Sequence, residues 1–165
     1  MYRNKIKELE EWKESANRKP LIIRGARQVG KTWIMKEFGK NNYKNIAYIN
    51  FDGNDRMKRL FEKDYDINRI VKGLKLEADI DIDKENTLII FDEVQEVPKA
   101  LTSLKYFCEN AGKYHIIAAG SLLGVALHEG TSFPVGKVDF MDLYPLNFQE
   151  FLLAIRRRKA SRNIK

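Results

Sequence analysis

The chain has 165 residues, ordinary apolar and charged fractions for a globular protein, and a formal net charge of +7. That length suits a single domain with a real core, and apolar runs as short as Leu88–Phe91 and Ile116–Ala119 exclude a membrane-spanning helix. One cysteine, Cys108, excludes an internal disulfide and leads us to expect a reducing, cytoplasmic setting.

The opening MYRNKIKELEEW is charged throughout and lacks the apolar centre of a signal peptide. Residues 2–16 read instead as an amphipathic helix, with Ile6, Leu9, Trp12 and Ala16 on one face. Asn17 to Pro20 ends it. Leu21-Ile22-Ile23-Arg24 is a short apolar run fit for a buried strand. GARQVGKT follows, from Gly25 to Thr32, with the spacing G-x-x-x-x-G-K-T of a phosphate-binding loop. Trp33 to Phe38 reads as a helix, with Gly39 as its stop.

Ile46–Phe51 predicts a second strand, and Asp52-Gly53-Asn54-Asp55 a turn. Residues 55–76 predict helix in two pieces, one marked by Met57, Leu60 and Phe61, the other by Ile67, Ile70, Val71 and Leu74. The alternating carboxylates Asp79, Asp81 and Asp83 invite a calcium loop. That loop would need glycine where Lys84 stands and glutamate where Ile90 stands, so the segment reads as a solvated loop.

Thr87–Phe91 is apolar on both faces, as a central parallel strand should be, and Asp92-Glu93 closes it. Pro98 suits the first turn of a helix carrying Leu101, Leu104, Phe107, Cys108 and Ala111 inward, with Gly112 past its end. His115–Ala119 predicts a fourth strand ending in Gly120-Ser121. A loop with Gly124, Gly130, Pro134 and Gly136 leads to a fifth strand near Val138–Tyr144, and Pro145–Ala154 reads as a last helix. Six basic residues and no acid occupy 156–165, so the first 155 residues are near neutral, at about +1. The basic end is a tail that could contact nucleic acid.

Strands alternating with helices predict an α/β sandwich with a mostly parallel, five-stranded sheet. In such sheets ligands sit at the carboxyl ends of the strands. The phosphate loop, Asp92-Glu93 and Ser121 should therefore meet on one edge. There the backbone of the loop and the first N–H groups of the helix can wrap a phosphate chain. Lys31 would reach the β/γ-phosphates. Thr32 would ligate Mg²⁺ through its hydroxyl, and Asp92 would hold the ion from the opposite side. Glu93 is placed to deprotonate the attacking water, and Ser121 to hydrogen-bond that water or the γ-phosphate. Adjacent strand residues face opposite ways, so Asp92 and Glu93 should do different jobs.

GARQVGKT, TLIIFDEVQ, the AAGS of Ala118–Ser121 and the PLNFQEF of Pro145–Phe151 together resemble the AAA-type ATPases of bacteria and archaea. The first two motifs are common to P-loop ATPases; the last two point to this group. The resemblance implies a P-loop NTPase three-layer sandwich over residues 1–155, with ATP and Mg²⁺ as ligands. It implies a nucleotide-binding set of Gly25, Ala26, Arg27, Gln28, Val29, Gly30, Lys31, Thr32 and Trp33. Asp92 and Glu93 become the second acidic motif and Ser121 the sensor, and self-association through the core is expected. Members of the group generally carry Gly-Arg before the PLNFQEF-like segment, where this chain has Gly136-Lys137, a point charge in place of a planar fork. In them a lid and a C-terminal domain usually follow, which would lie beyond Lys165.

Three activities compete on the residues alone: an ATPase, a nucleotide-binding switch with little hydrolysis, and another phosphoryl enzyme. The guanine motif N-K-x-D is absent, against a GTPase. A kinase needs no water-activating carboxylate, so Glu93 favours hydrolysis. The first two readings stay open.

Overall fold

The computed structural model describes residues 5–121 and 134–146, together with Glu150 and Leu152. The sequence-predicted loop centred on Gly124 and Gly130, most of the last helix and the basic tail lie outside the described residues. The elements run α1 (Lys5–Glu14), β1 (Leu21–Arg24), α2 (Lys31–Asn42), β2 (Asn45–Asn50), α3 (Asp55–Lys63), α4 (Ile67–Ala78), β3 (Thr87–Asp92), a 3₁₀ turn (Val94–Glu96), α5 (Pro98–Asn110), β4 (His115–Ala119) and β5 (Asp139–Asp142).

The five strands form one sheet in the order β2-β3-β4-β1-β5, parallel at every pairing. Parallel strands must be joined by crossovers, and the helices between them cover both faces. Side chains alternate accordingly. On β3, Leu88 and Ile90 face α1 and α2 with Leu9, Trp12, Ile34, Met35 and Phe38. Ile89 and Phe91 face α3, α4 and α5 with Met57, Phe61, Ile70, Leu74, Leu104 and Phe107. The result is the three-layer α/β sandwich expected from the sequence. Phe51, Phe61 and Phe91, each at most 1% exposed, meet edge to face at 5.2–5.8 Å. Burying one such side chain is worth about 1.5–3 kcal/mol, and this cluster fixes the far end of β3, where the acidic pair begins.

Three local expectations are corrected. The first helix ends at Glu14, and Ala16 is exposed beyond it. The helix after the phosphate loop does not stop at Gly39; it runs on to Asn42, capped by Tyr43. Gly39 is there for packing, since a Cβ at that position would lie 2.9 Å from the Ile46 side chain and 3.1 Å from Leu88. Cys108, expected to point inward, is only half-buried. The division of residues 55–76 is as expected: Asn54 and Asp66 each cap a helix by accepting a backbone N–H three residues on.

Because the strands are parallel, the chain leaves β1, β2, β3 and β4 on one edge of the sheet. Gly25, Phe51, Glu93 and Gly120 are the first residues beyond those strands.

Candidate functional site

The loop between β1 and α2 is bent by Gln28 and Gly30, both in the left-handed region at φ 63° and 94°. Gly30 is the N-cap of α2 and accepts the N–H of Ile34 at 3.0 Å. Gly25 is needed for a different reason. A Cβ there would stand 2.4 Å from the Leu143 carbonyl oxygen, where the chain leaving β5 presses on the loop. Leu143 N–H bonds the Arg24 carbonyl, and the Arg24 guanidinium grips Asp142 through two bonds of 2.8 and 2.9 Å. The base of the loop is thereby tied to β5. Val29 is buried in the core facing α1 and α2.

A cavity of about 560 Å³ opens above this loop, lined by Arg27, Gln28, Gly30, Lys31, Thr32, Trp33, Asp52, Glu93, Gln95, Glu96 and Ser121. Lys31 is 7% exposed and donates to the carbonyls of Gly25 and Ala26 at 2.8 and 2.7 Å. Burial lowers its pKa below the ordinary lysine value, opposed by the negative charges of Glu93 and Asp92. The Thr32 hydroxyl donates to Asp92 Oδ2 at 2.6 Å, across the sixty positions that separate them in sequence.

Asp92 is buried, and each of its oxygens is engaged. Oδ2 also accepts the Tyr48 phenol at 2.9 Å, and Oδ1 accepts the Glu93 N–H at 3.1 Å. Burial and the Asp92 bond push the Tyr48 phenol well above its ordinary pKa, so it remains a donor at neutral pH. Glu93 lines the cavity. The two carboxylates do point to different surroundings, but not through strand alternation: β3 ends at Asp92, and Glu93 already has a left-handed backbone at φ 52°. Such a conformation in a non-glycine residue costs of order 1–3 kcal/mol and tends to persist at functional sites.

All nine residues expected to bind nucleotide lie in the loop or at its exit into α2, and six of them line the cavity. Gly25, Ala26 and Val29 do not line it; they carry the Lys31 bonds and anchor the loop. Ser121, just beyond β4, is buried and accepts a 3.4 Å bond from Arg27 Nε. Lys137 lies elsewhere, paired with Glu109 at 3.4 Å.

Sequence reasoning missed Tyr48 and Gln95. Gln95 Nε2 donates to Glu93 Oε2 at 2.6 Å. Its second contact, Glu96 Oε1 at 3.4 Å, is also a carboxylate, which fixes the amide with nitrogen toward the acids. Its Oε1 is the one buried side-chain polar atom without a hydrogen-bond partner among the described residues.

A family model described as AAA domain matches residues 17–152. The chain belongs to the AAA domain family. Solved structures agree with this AAA fold. One is a Walker-type ATPase of Pyrococcus abyssi, 16% identical, with TM-score 0.60, covering 96% of this chain and 57% of that one. Another is the ORC1 protein of Aeropyrum pernix in complex with DNA, 12% identical, with TM-score 0.58, covering 98% of this chain and 50% of that one. The chain thus spans about half the length of these structures. No curated protein matches it. The AAA domain is a nucleotide-binding ATPase core of the P-loop class. No described helix is long and apolar enough to cross a membrane.

Proposed function

We propose that this AAA domain binds ATP with Mg²⁺ in the cavity over the phosphate loop and hydrolyses its terminal phosphoanhydride. The observation that carries the reading is the 2.6 Å bond between Thr32 and Asp92, on a cavity lined by Lys31 and Glu93. A hydroxyl and a carboxylate are hard oxygen donors. Among the described residues no cluster of three or more His, Cys, Asp or Glu could enclose a metal alone. So sparse a set suits Mg²⁺, which keeps waters and substrate phosphates in its shell. Bound by Thr32 and Asp92, the ion would neutralise charge on the β- and γ-oxygens.

The chain's own groups do the rest. Lys31 exchanges two neutral carbonyl acceptors for charged phosphate oxygens, and charge-assisted bonds are roughly twice as strong. Glu93 takes a proton from the attacking water as its oxygen bonds to the γ-phosphorus. The bond from that phosphorus to the bridging oxygen breaks, leaving ADP and phosphate. Ser121 hydrogen-bonds the water or the γ-phosphate.

A second reading, a nucleotide-binding switch with little turnover, is favoured by Gln95, which already holds one oxygen of Glu93. Either way we take residues 1–155 as the core, acting in the cytoplasm and self-associating through it. Residues 156–165 are then a basic tail that contacts nucleic acid. Calorimetry with ATP and phosphate release by the purified chain test the proposal. Lys31→Ala should weaken triphosphate binding strongly. Equal affinity of the two proteins would sink the phosphate-loop assignment, and binding without phosphate release would select the switch.

A further inference from the structure

Lys137 is paired with Glu109 at 3.4 Å and does not line the cavity. The segment 122–133 contains no lysine or arginine at all. The cavity wall carries Asp52, Glu93 and Glu96 against the single lysine Lys31, so a triphosphate gains from a further cationic side chain even with Mg²⁺ bound. Carboxylates lining a cavity disfavour an anionic ligand unless cations offset them.

Arg27 is the only arginine lining the cavity among the described residues. Arg24, Arg56 and Arg69 are each paired with a carboxylate at 2.8–2.9 Å. Arg27 meets no carboxylate among the described residues. Its one bond there is the long contact from Nε to the neutral Ser121 hydroxyl, which leaves both terminal nitrogens of the fork uncommitted. A planar fork with unengaged donors, on a phosphate-binding loop and in contact with Ser121 two residues past β4, is suited to bidentate recognition of phosphate oxygens.

We propose that Arg27 supplies the site's second cationic side chain from within the phosphate loop, placing its guanidinium on the γ-phosphate beside Ser121 and so setting a preference for triphosphate over diphosphate. The inference rests on the nucleotide-binding reading above. It makes the phosphate loop itself the source of a guanidinium for the terminal phosphate.

The test compares binding of a non-hydrolysable ATP analogue and of ADP, each with Mg²⁺, by calorimetry on the full chain. The proteins are the parent, Arg27→Ala, Arg27→Lys and Lys31→Ala. Arg27 is exposed, so its replacement should leave the melting profile intact. Arg27→Ala should lose roughly tenfold or more in affinity for the triphosphate, the scale of one charged hydrogen bond, and change by less than about twofold for ADP. Arg27→Lys should recover only part of the loss, because an ammonium lacks the fork. Lys31→Ala should weaken both ligands. If Arg27→Ala binds both ligands like the parent while Lys31→Ala does not, the inference is overturned and the site reading stands. Equal losses for triphosphate and diphosphate also overturn it. If neither ligand binds the parent, the site reading falls and takes the inference with it.

Discussion

The Tyr48 phenol and the Asp92 carboxylate are joined at 2.9 Å, on the same oxygen that takes the Thr32 hydroxyl. Tyr48 reaches it from β2, whose register with β3 sets Tyr48 opposite Ile90 and Asn50 opposite Asp92. The Lys36 ammonium stands 3.7 Å over the Tyr48 ring, so the phenol is fixed on its other side by α2. In the Mg²⁺ site proposed above, Asp92 would thus be oriented toward the ion by a neighbour on the adjacent strand.

Tyr48→Phe should keep the ring and the Lys36 contact and remove only that bond. The expected outcome is a several-fold rise in the Mg²⁺ concentration giving half-maximal nucleotide binding, part of the about 1.5–3 kcal/mol carried by a hydrogen bond to a charged group. Binding in the presence of a chelator should be unchanged. Fluorescence of Trp33, which lines the cavity, offers the titration signal. An unaltered Mg²⁺ midpoint would show that Asp92 needs no help from Tyr48.

The loop from Gly25 to Thr32 was legible because its chemistry is local: eight consecutive residues, two of them glycines, between an apolar strand and a helix. Asp92-Glu93 was legible because four apolar residues precede it and a carboxylate cannot continue a buried strand without a partner. Tyr48 was not, because its role comes from the β2–β3 pairing, which no local pattern encodes. Gln95 depends on the left-handed turn at Glu93, where a β-period count fails. Gly39 misled for a related reason. Glycine marks helix ends by backbone freedom, but here it answers to Ile46 and Leu88, side chains distant in sequence.

Stability should carry a mark of His115, whose Nδ1 shares a 2.6 Å hydrogen bond with the Tyr43 hydroxyl. Burial depresses its pKa from 6.5 to about 4, helped by the positive charges of Arg18 and Lys13. Glu14, Glu85 and Lys113 line the same small hollow. A base whose folded pKa lies below its unfolded value is charged more readily when unfolded. Its contribution is therefore complete above about pH 6.5 and is lost as pH falls toward 4, at no more than about 1.4 kcal/mol per pH unit. Asp64 and Asp83 have pKa values lowered below 3.8, chiefly by backbone N–H bonds, so their losses come at lower pH. Urea unfolding at pH 7, 5.5 and 4.5 should show the slope, and His115→Gln should flatten it even if that variant is weaker overall. An equal slope in both proteins would remove His115 as the cause.

Binding to nucleic acid should reside in residues 156–165, because the preceding 155 residues are near neutral. A chain ending at Ile155 should lose most of the affinity, and the parent's binding should fall steeply with salt as counterions are released by phosphate contacts. Equal affinity of the shortened chain at one salt concentration would place the contact elsewhere.

Glu93 and Gln95 provide the sharpest separation of binding from chemistry. Their side chains are joined at 2.6 Å, and Glu93 lines the cavity without touching Lys31 or Thr32 through any described hydrogen bond. Glu93→Gln preserves size but removes the base. General-base assistance is worth typically 10²–10⁴-fold, or about 3–5 kcal/mol of barrier. In a form of the protein that turns over ATP, this variant should bind Mg·ATP about as well as the parent and release phosphate at least a hundredfold more slowly, by about that lower bound. Gln95→Met removes the amide while nearly conserving shape. If Gln95 acts by orienting Glu93, its loss should lower kcat by about tenfold and leave KM unchanged, the scale of a single hydrogen bond. In the double variant the second loss should add almost nothing, since the group being oriented is already gone. Fully additive losses would mean that Gln95 acts independently of Glu93. Turnover by Glu93→Gln within twofold of the parent would make Glu93 a strand-end residue whose left-handed backbone serves only the turn into Val94–Glu96.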